Sequence, residues 1–471
     1  MSNTIVGILG LVTIIAIVVT LFRSKTQPAI AFIVWPTILA LVMIVGGRFT
    51  FDNLAAMIKA GFNSTGPTAA LFVFSVLYFG IMTDAGMFDV IIGKLMTFVG
   101  DNVIGVCIVT CIIALVGHLD GGGASTFCIV VPAMLPVYKK MHMRPTTLLR
   151  IAVLSMGVLN LMPWAGPTMR AATVLGIEAG ELWKTLLPIQ AFGVVLSLAH
   201  AVLAGMQEKA RGAGLNGKLA QIEGEVADEV KKDDAAAKNE LARPNLFMFN
   251  IALTIAVIVM LIWDVFPSYV PFMIGVAVAL FVNYGATAKM HKKLINLHAG
   301  PALMMCSTLM GAAVLMGVLV YGIDASGAAA VAKIKNGVST EMQIISVVTC
   351  MANLIKMILP AALGQNLPLF IGILSVPLAL AFDTDSYFYG MLPVMIAIGA
   401  SFGVEALPVA VAMVVCRNCA TFISPMVPAT LLGIGLADID IKDHIKASFF
   451  YVWGFSILCM LFAVLLGIMP L

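Results

Sequence analysis

The sequence predicts an all-α polytopic membrane protein built of two inverted repeats, each with a re-entrant helical hairpin and a broken helix. Three observations carry that prediction. Of 471 residues, 61% are hydrophobic and 11% are charged, against about 25% charged in a soluble domain. The stretch HLDGGGASTF, His118 to Phe127, lies between two apolar runs, each shorter than the roughly 20 residues that a spanning helix needs. Short motifs also recur in the same order in the two halves of the chain.

Taken in order, the first apolar run, Thr4 to Phe22, has no early positive region and no small-residue cleavage site before it. It is expected to be a retained helix and not a signal peptide. Runs at 28–47 and 67–83 follow, with an amphipathic piece, DNLAAMIKAG, at 52–61. The runs at 103–117 and 127–138 read as two arms of a hairpin that enters the membrane, turns part-way and leaves on the same side. Its turn carries Asp120, Gly121, Gly122, Gly123, Ser125 and Thr126. Polar, non-helical backbone at membrane depth is tolerated only where protein or a water-filled cavity covers it. An acid there is a functional-site hypothesis by default, and adjacent glycines let a small anion approach the peptide N–H groups. The alternative is a solvent-exposed turn between soluble helices.

The run 146–162 meets PWAGPT at 163–168, and 182–206 closes the first half. A polar stretch of nearly balanced charge, 207–244, reads as a flexible surface linker with some helix, a regulatory segment being the alternative. The second half carries runs at 245–265, 268–286, 302–323, 340–362, 366–382, 386–402, 404–423 and 446–470, with an amphipathic piece at 289–300.

The halves match at YFGIMTDAG (78–86) and VYGIDASG (320–327), at PWAGPT and PMVPAT (425–430), and at MLPV (134–137 and 391–394), and the two amphipathic pieces sit at the same place in each. An odd number of crossings between such copies inverts the second, and inverted repeats mark secondary transporters. Residues 328–365 find no counterpart in the first half. By the repeat, FDTDS (382–386) is the second hairpin tip. Pro163, Pro167, Pro425 and Pro428 interrupt helical hydrogen bonding, so four broken points are expected: two tips and two interrupted helices.

Asp120, Asp383 and Asp385 are the acids at these points. They either carry a proton or cation or cap helices. Ser125, Thr126, Thr168, Thr384, Ser386, Ser424 and Thr430 either donate to a carboxylate or bond their own helix carbonyls. Arg170 follows the first break, and Arg417 with Asn418 precedes the second. Arginine is costly in a membrane and its fork suits carboxylate; snorkelling or pairing with an Asp is the alternative. His118 reads as a packed histidine, Glu405 as a helix-start acid, and Lys356 receives no role.

Basic residues favour the cytoplasmic side. Arg23 and Lys25, then Lys139, Lys140 and Arg144, then Lys289, Lys292 and Lys293 all fall there if the N-terminus is outside. The linker is then cytoplasmic. A net charge of +3 is too small to suggest nucleic acid. No HExxH, GxSxG or GxxxxGK[ST] is present, so neither enzyme nor ATP-driven pump is expected. The eight cysteines read as small core residues.

LDGGGASTF, MPWAGPTMRAA and the pairing of FDTDSYFYGMLPV with ISPMVPATLL resemble the metal-citrate/proton symporter family, within the wider ion-transporter superfamily. The resemblance covers nearly the whole chain. It implies a homodimer in the inner (plasma) membrane, with scaffold and transport domains that move like an elevator. It implies scaffold parts at 1–100 and 245–365, and transport parts at 101–181 and 366–440. The remaining pieces are a closing helix at 182–206, the linker 207–244 and a C-terminal helix at 441–471.

The cargo it implies is citrate, complexed with Mg²⁺ or Ca²⁺, taken up with protons and with no covalent cofactor. Asp120, Gly121, Gly123 and Thr126 fit the family's first tip. Pro163, Trp164, Gly166, Pro167, Thr168 and Arg170 fit the first break, and Ser424, Pro425, Pro428 and Thr430 the second. Gly122 stands where a second Asp is common, Asp383–Ser386 where Ser-Asn-Asp-Ala is common, and Arg417 and Asn418 where Gly-Gln types are. These departures widen the expectation to free citrate or another di- or tricarboxylate, with protons or Na⁺. A passive carboxylate channel and a carboxylate-sensing receptor are the rival expectations.

Overall fold

The computed structural model describes residues 1–24, 26–97, 102–214, 241–263, 265–331, 334–335, 338–339 and 341–469. Most of the predicted linker, residues 215–240, lies outside the described residues.

Helices α1 (Asn3–Ser24) and α2 (Pro28–Val45) lead into α3 (Phe51–Asp84). A capping box starts α3: Thr50 Oγ1 accepts from the Asn53 N–H and Asn53 Oδ1 accepts from the Thr50 N–H, each at 3.1 Å. Pro67 does not end it. The amphipathic piece 52–61 and the run 67–83 are therefore one helix of 34 residues. The same holds in the second half, where α12 (Ala288–Val320) absorbs 289–300 and runs through Pro301. In an apolar surround an unbroken helix satisfies every backbone group but the few that proline removes, so continuation beats a break.

The rest of the first half is α4 (Met87–Met96), α5 (Val103–Gly117), α6 (Gly123–Lys140), α7 (Pro145–Leu159), α8 (Gly166–Leu175) and α9 (Ala179–Arg211). The second half has α10 (Phe247–Trp263), α11 (Tyr269–Tyr284), α12, α13 (Val347–Lys356), α14 (Ala361–Gln365) and α15 (Leu367–Ala379). It ends with α16 (Leu392–Ser401), α17 (Ala406–Cys419), α18 (Pro428–Ala437) and α19 (Ile441–Leu465).

Among the described residues, seven helical stretches are long and apolar enough to cross a membrane: α1, α2, α3, α9, Pro244–Trp263, α12 and α19. The shorter α5/α6 and α15/α16 pairs form hairpins, and α7/α8 and α17/α18 are helices interrupted part-way. Both expected tips and both expected breaks are present. The 328–365 stretch, unmatched in the first half, holds part of a cap of short strands and the short helices α13 and α14. Its strands β1 (Gly322–Asp324), β2 (Ala329–Ala330) and β5 (Met342–Ile344) pair antiparallel in the order β2-β1-β5, and β3 (Ile334–Lys335) pairs with β4 (Val338–Ser339). One motif match changes conformation: most of YFGIMTDAG is the last turns of α3, whereas most of VYGIDASG has left α12 for β1.

α3 packs along α12, which also carries α2. They approach backbone to backbone; a Cβ on Gly317 would lie 2.9 Å from the Met57 carbonyl oxygen. Small residues at such contacts are how membrane helices gain close packing. α5 lies against α7 and α9, α15 against α17, and α6 against α18. The base of the first hairpin is fixed to the end of α9 by Glu208, which is fully buried. It accepts from Arg144 Nε at 2.7 Å, Thr147 Oγ1 at 2.6 Å and Arg211 Nη2 at 2.9 Å. Six cysteines are buried as expected of core residues, while Cys128 is exposed and Cys306 part-buried.

Candidate functional site

Each tip is built by local hydrogen bonding. At the first, Gly121 takes φ +71°, a left-handed turn that glycine adopts without strain. Asp120 then folds over the start of α6: Oδ1 accepts from the Gly122 N–H at 2.7 Å and Oδ2 from the Ser125 hydroxyl. At the second tip Asp383 Oδ2 accepts from the N–H groups of Asp385 at 2.9 Å and Ser386 at 3.3 Å. Asp120 and Asp383 thus cap, the plainer of the two expectations for each. Asp385 does not. It pairs with Arg170 of α8, Nε to Oδ1, at 2.5 Å. Thr384 sits between the two tip acids.

The breaks follow the P-x-x-x-x-T spacing. Gly166 and Pro167 begin α8, Pro428 begins α18, and Thr168 and Thr430 lie at equivalent places. Proline at a helix start loses nothing, because that N–H has no helical partner. Thr168 Oγ1 donates to the Asn160 carbonyl at 2.8 Å. Ser424 Oγ accepts from the Met426 N–H at 3.2 Å.

Each tip touches both breaks. Trp164 Nε1 donates to the Leu119 carbonyl at 2.8 Å, and a Cβ on Gly121 would sit 3.5 Å from Ala165 Cα, joining the first tip to the first break. A Cβ on Gly123 would run into the Phe422 ring and lie 3.0 Å from Ala429 Cβ, joining it to the second. The second tip reaches the first break through Asp385 and Arg170. It reaches the second through the Phe382 carbonyl, which accepts from Arg417 Nη2 at 3.2 Å. The breaks meet where Asn418 Nδ2 donates to the Asn160 carbonyl at 3.1 Å.

Arg417 is fully buried. Its other partners are Thr421 Oγ1 at 3.2 Å and the face of Tyr387, 5.6 Å from the ring centre. Among the described residues it forms no ion pair with a carboxylate. Four buried polar atoms at the two breaks lack a hydrogen-bond partner among the described residues, Asn160 Nδ2, Arg417 Nε, Asn418 Oδ1 and Thr430 Oγ1, as does Ser386 Oγ at the second tip. A buried donor or acceptor left unmade costs roughly 1–3 kcal/mol, so four around two helix breaks is the arrangement of a site awaiting a polar ligand. Two guanidinium groups and the free N–H ends of α8 and α18 favour an anion. Two cavities lie elsewhere, one of about 150 Å³ between α3 and the α8–α9 turn, the other of about 570 Å³ beside Phe402 and Glu405. Within the cluster Thr168, Arg417, Asn418 and Thr430 are fully buried. Among the described residues no three His, Cys, Asp or Glu side chains gather as metal ligands.

Two residues of the cluster were not singled out as binding groups by sequence. His118, fully buried, bridges Thr126 Oγ1 at 2.7 Å and Asn160 Oδ1 at 3.1 Å. Asn160 joins His118, Thr168 and Asn418. The available signal was that Asn160 is the one asparagine in the largely apolar run before Pro163, three residues ahead of the break.

A family model described as citrate transporter matches residues 1–416. A citrate transporter of Bacillus subtilis (strain 168) is 32% identical over 98% of this chain and 99% of its own length. A Mg(2+)/citrate complex secondary transporter of the same organism is 30% identical over 93% of each. In fold the chain is similar to the YdaH transporter of Alcanivorax borkumensis, with a TM-score of 0.62 and 13% identity over 94% of this chain and all of that one.

Proposed function

The chain belongs to the citrate transporter family, whose members are multi-span membrane transporters and not enzymes, and from that premise we propose that it is a secondary active symporter importing citrate or a related di- or tricarboxylate. The observation that carries this reading is the meeting of four helix interruptions around Arg170 and the unpaired Arg417. A multiply charged anion brought into a membrane needs fixed positive charge and free donors at mid-depth, and this cluster supplies both.

In this reading α5–α8 and α15–α18 form the transport part, and α1–α4 with α10–α14 the scaffold. α9 and α19 close the two repeats. The transport part slides against α3 and α12 as an elevator in a homodimer. Tip and break residues Gly121–Gly123, Ser125, Thr126, Trp164, Gly166–Thr168, Arg170, Thr384, Ser386, Arg417, Asn418, Ser424, Pro428 and Thr430 surround the anion. Asp120, Asp383 and Asp385 stand nearest the coupling H⁺ or Na⁺. The curated relative that carries a Mg(2+)/citrate complex supports a metal entering as part of the cargo. The protein sits in the plasma membrane with its N-terminus outside and Lys289, Lys292 and Lys293 inside. A membrane potential contributes about 2.3 kcal/mol per charge per 100 mV.

Uptake of labelled citrate into proteoliposomes under an imposed pH or Na⁺ gradient tests this. Accumulation above the outside concentration is expected. No uptake of any carboxylate under either gradient would overturn it; linear, non-concentrating flux would indicate a channel, and binding without flux a receptor.

A further inference from the structure

We propose that Asp385 stands in for a substrate carboxylate: it holds Arg170 while the site is empty, and is displaced and protonated when a carboxylate ligand arrives. The inference rests on the carboxylate-transporter reading and supplies its coupling step.

Three observations single out Asp385. First, it is the tip acid that reaches another element. Asp120 is occupied by Gly122 and Ser125 of its own tip, and Asp383 by the N–H groups of Asp385 and Ser386. Second, Arg170 is held by one edge alone. Its Nε meets Asp385 at 2.5 Å, while among the described residues Nη2 meets only the thioether sulfur of Met305, a weak acceptor, at 3.4 Å. A guanidinium offers a planar fork for two parallel bonds to a carboxylate, and that fork is unused. Third, Nη1 lies against the bare backbone of Gly166, where a Cβ would come within 2.5 Å of it, and among the described residues it makes no hydrogen bond.

A carboxylate that takes the fork leaves Asp385 without its counter-ion, beside a bound anion and beside Asp383. Its side chain is only 14% exposed. Two neighbouring carboxylates cannot both stay ionised in a poorly hydrated site, so a proton from the open side joins a carboxylate oxygen of Asp385. Besides Arg170, the charge that another element brings to this tip is Arg417 of α17, which bonds the Phe382 carbonyl. α1 has no titratable residue before Arg23, α16 has none, and the basic residues of α12 lie in its first turns, far from Met305. The tip itself supplies Asp383 and Tyr389, and α8 supplies Arg170. Substrate and proton therefore load together, and release of the anion inside lets Asp385 reclaim Arg170 and shed the proton.

The test uses detergent-purified full-length protein in weak buffer at about pH 8, where citrate is fully ionised. Titration with citrate, without and with Mg²⁺, is followed by a pH indicator and by calorimetry. The wild type is expected to take up close to one proton per citrate bound. Asp385→Asn, with Asp385→Ser as a second variant, is expected to take up none and to bind citrate at least about 10-fold tighter at that pH, a gain of about 1.4 kcal/mol. A purely structural role for Asp385 gives the opposite sign, weaker binding in both variants, and overturns the proposal. So does proton-neutral binding by the wild type, with or without Mg²⁺, a measurement that needs no variant. Wild-type protein that binds no di- or tricarboxylate at all would instead sink the transporter reading.

Discussion

Asn418 donates its side-chain amide to the backbone carbonyl of Asn160 over 3.1 Å. The C-terminal ends of α7 and α17, one from each half of the chain, are joined by that bond. A carbonyl only accepts, so the nitrogen of Asn418 must face it and the oxygen must face away, where it has no partner among the described residues.

Asn418→Leu is therefore expected to act twice. The Asn160 carbonyl keeps Thr168 at 2.8 Å, so the loss in stability is about 1 kcal/mol, read as a small fall in melting temperature. The outward oxygen goes too, and the KM for citrate uptake should rise at least about 10-fold, the effect of about 1.4 kcal/mol. An unchanged KM would make Asn418 a structural pin and nothing more.

The glycines of the first tip are not equivalent. At Gly123 an added Cβ would collide with the Phe422 ring and crowd Ala429; at Gly117 its nearest neighbour would be 3.7 Å away. Gly117→Ala should be neutral or stabilising by up to about 1 kcal/mol, since alanine suits a helix better. Gly123→Ala should push the first tip off the second break and abolish most uptake while the protein still inserts and purifies as a single species. Equal transport by the two variants would show that this contact is not needed.

Much of this fold was legible because membrane depth makes polarity informative. A run such as HLDGGGASTF between two short apolar arms has few physical solutions, and the P-x-x-x-x-T spacing marked both breaks to the residue. What stayed hidden depends on third partners. Asp120 and Asp385 look alike in sequence, yet one is bound within its own tip and the other reaches Arg170, 215 positions away. His118 read as packing because nothing local reveals that both ring nitrogens are bonded across to Thr126 and Asn160. The helices at 51–84 and 288–320 each read as an amphipathic piece and a separate apolar run, since a change of polarity along the chain does not reveal whether the helix continues through it.

Arg417 should not be replaceable by lysine. It is wholly buried, bonds the Phe382 carbonyl and Thr421, lies over Tyr387, and leaves Nε without a partner. A lysine is a compact charge that spans neither the second tip nor the ring face. Arg417→Lys is expected to fold but to lose at least about 10-fold in citrate affinity, and Arg417→Met to fold and lose binding altogether. Replacing a buried unpaired charge by an apolar side chain is often neutral or stabilising, so a raised melting temperature with abolished binding is the expected pair of results. Full citrate binding by Arg417→Met would remove this residue from the site.

The orientation is testable at two exposed positions at opposite ends of α12. Ser326 lies in the turn between β1 and β2, just past its C-terminal end; Lys292 lies in its second turn. Arg48, after α2, bonds the Ile345 carbonyl at 3.3 Å, so the strand cap shares its side with the α2–α3 turn. Arg243 bonds the Asn283 carbonyl at 3.0 Å, and the Arg243 N–H meets the Ala85 carbonyl at 2.9 Å, so the linker's end shares the side of the α11–α12 turn and of Lys292. Positive residues are retained in the cytoplasm. In a background with the exposed Cys128 replaced by serine, Ser326→Cys should react with a membrane-impermeant maleimide in intact cells, and Lys292→Cys only after permeabilisation. The reverse pattern would turn the whole molecule over, open the first hairpin to the outside, and make the proton that Asp385 accepts enter from the wrong compartment for import.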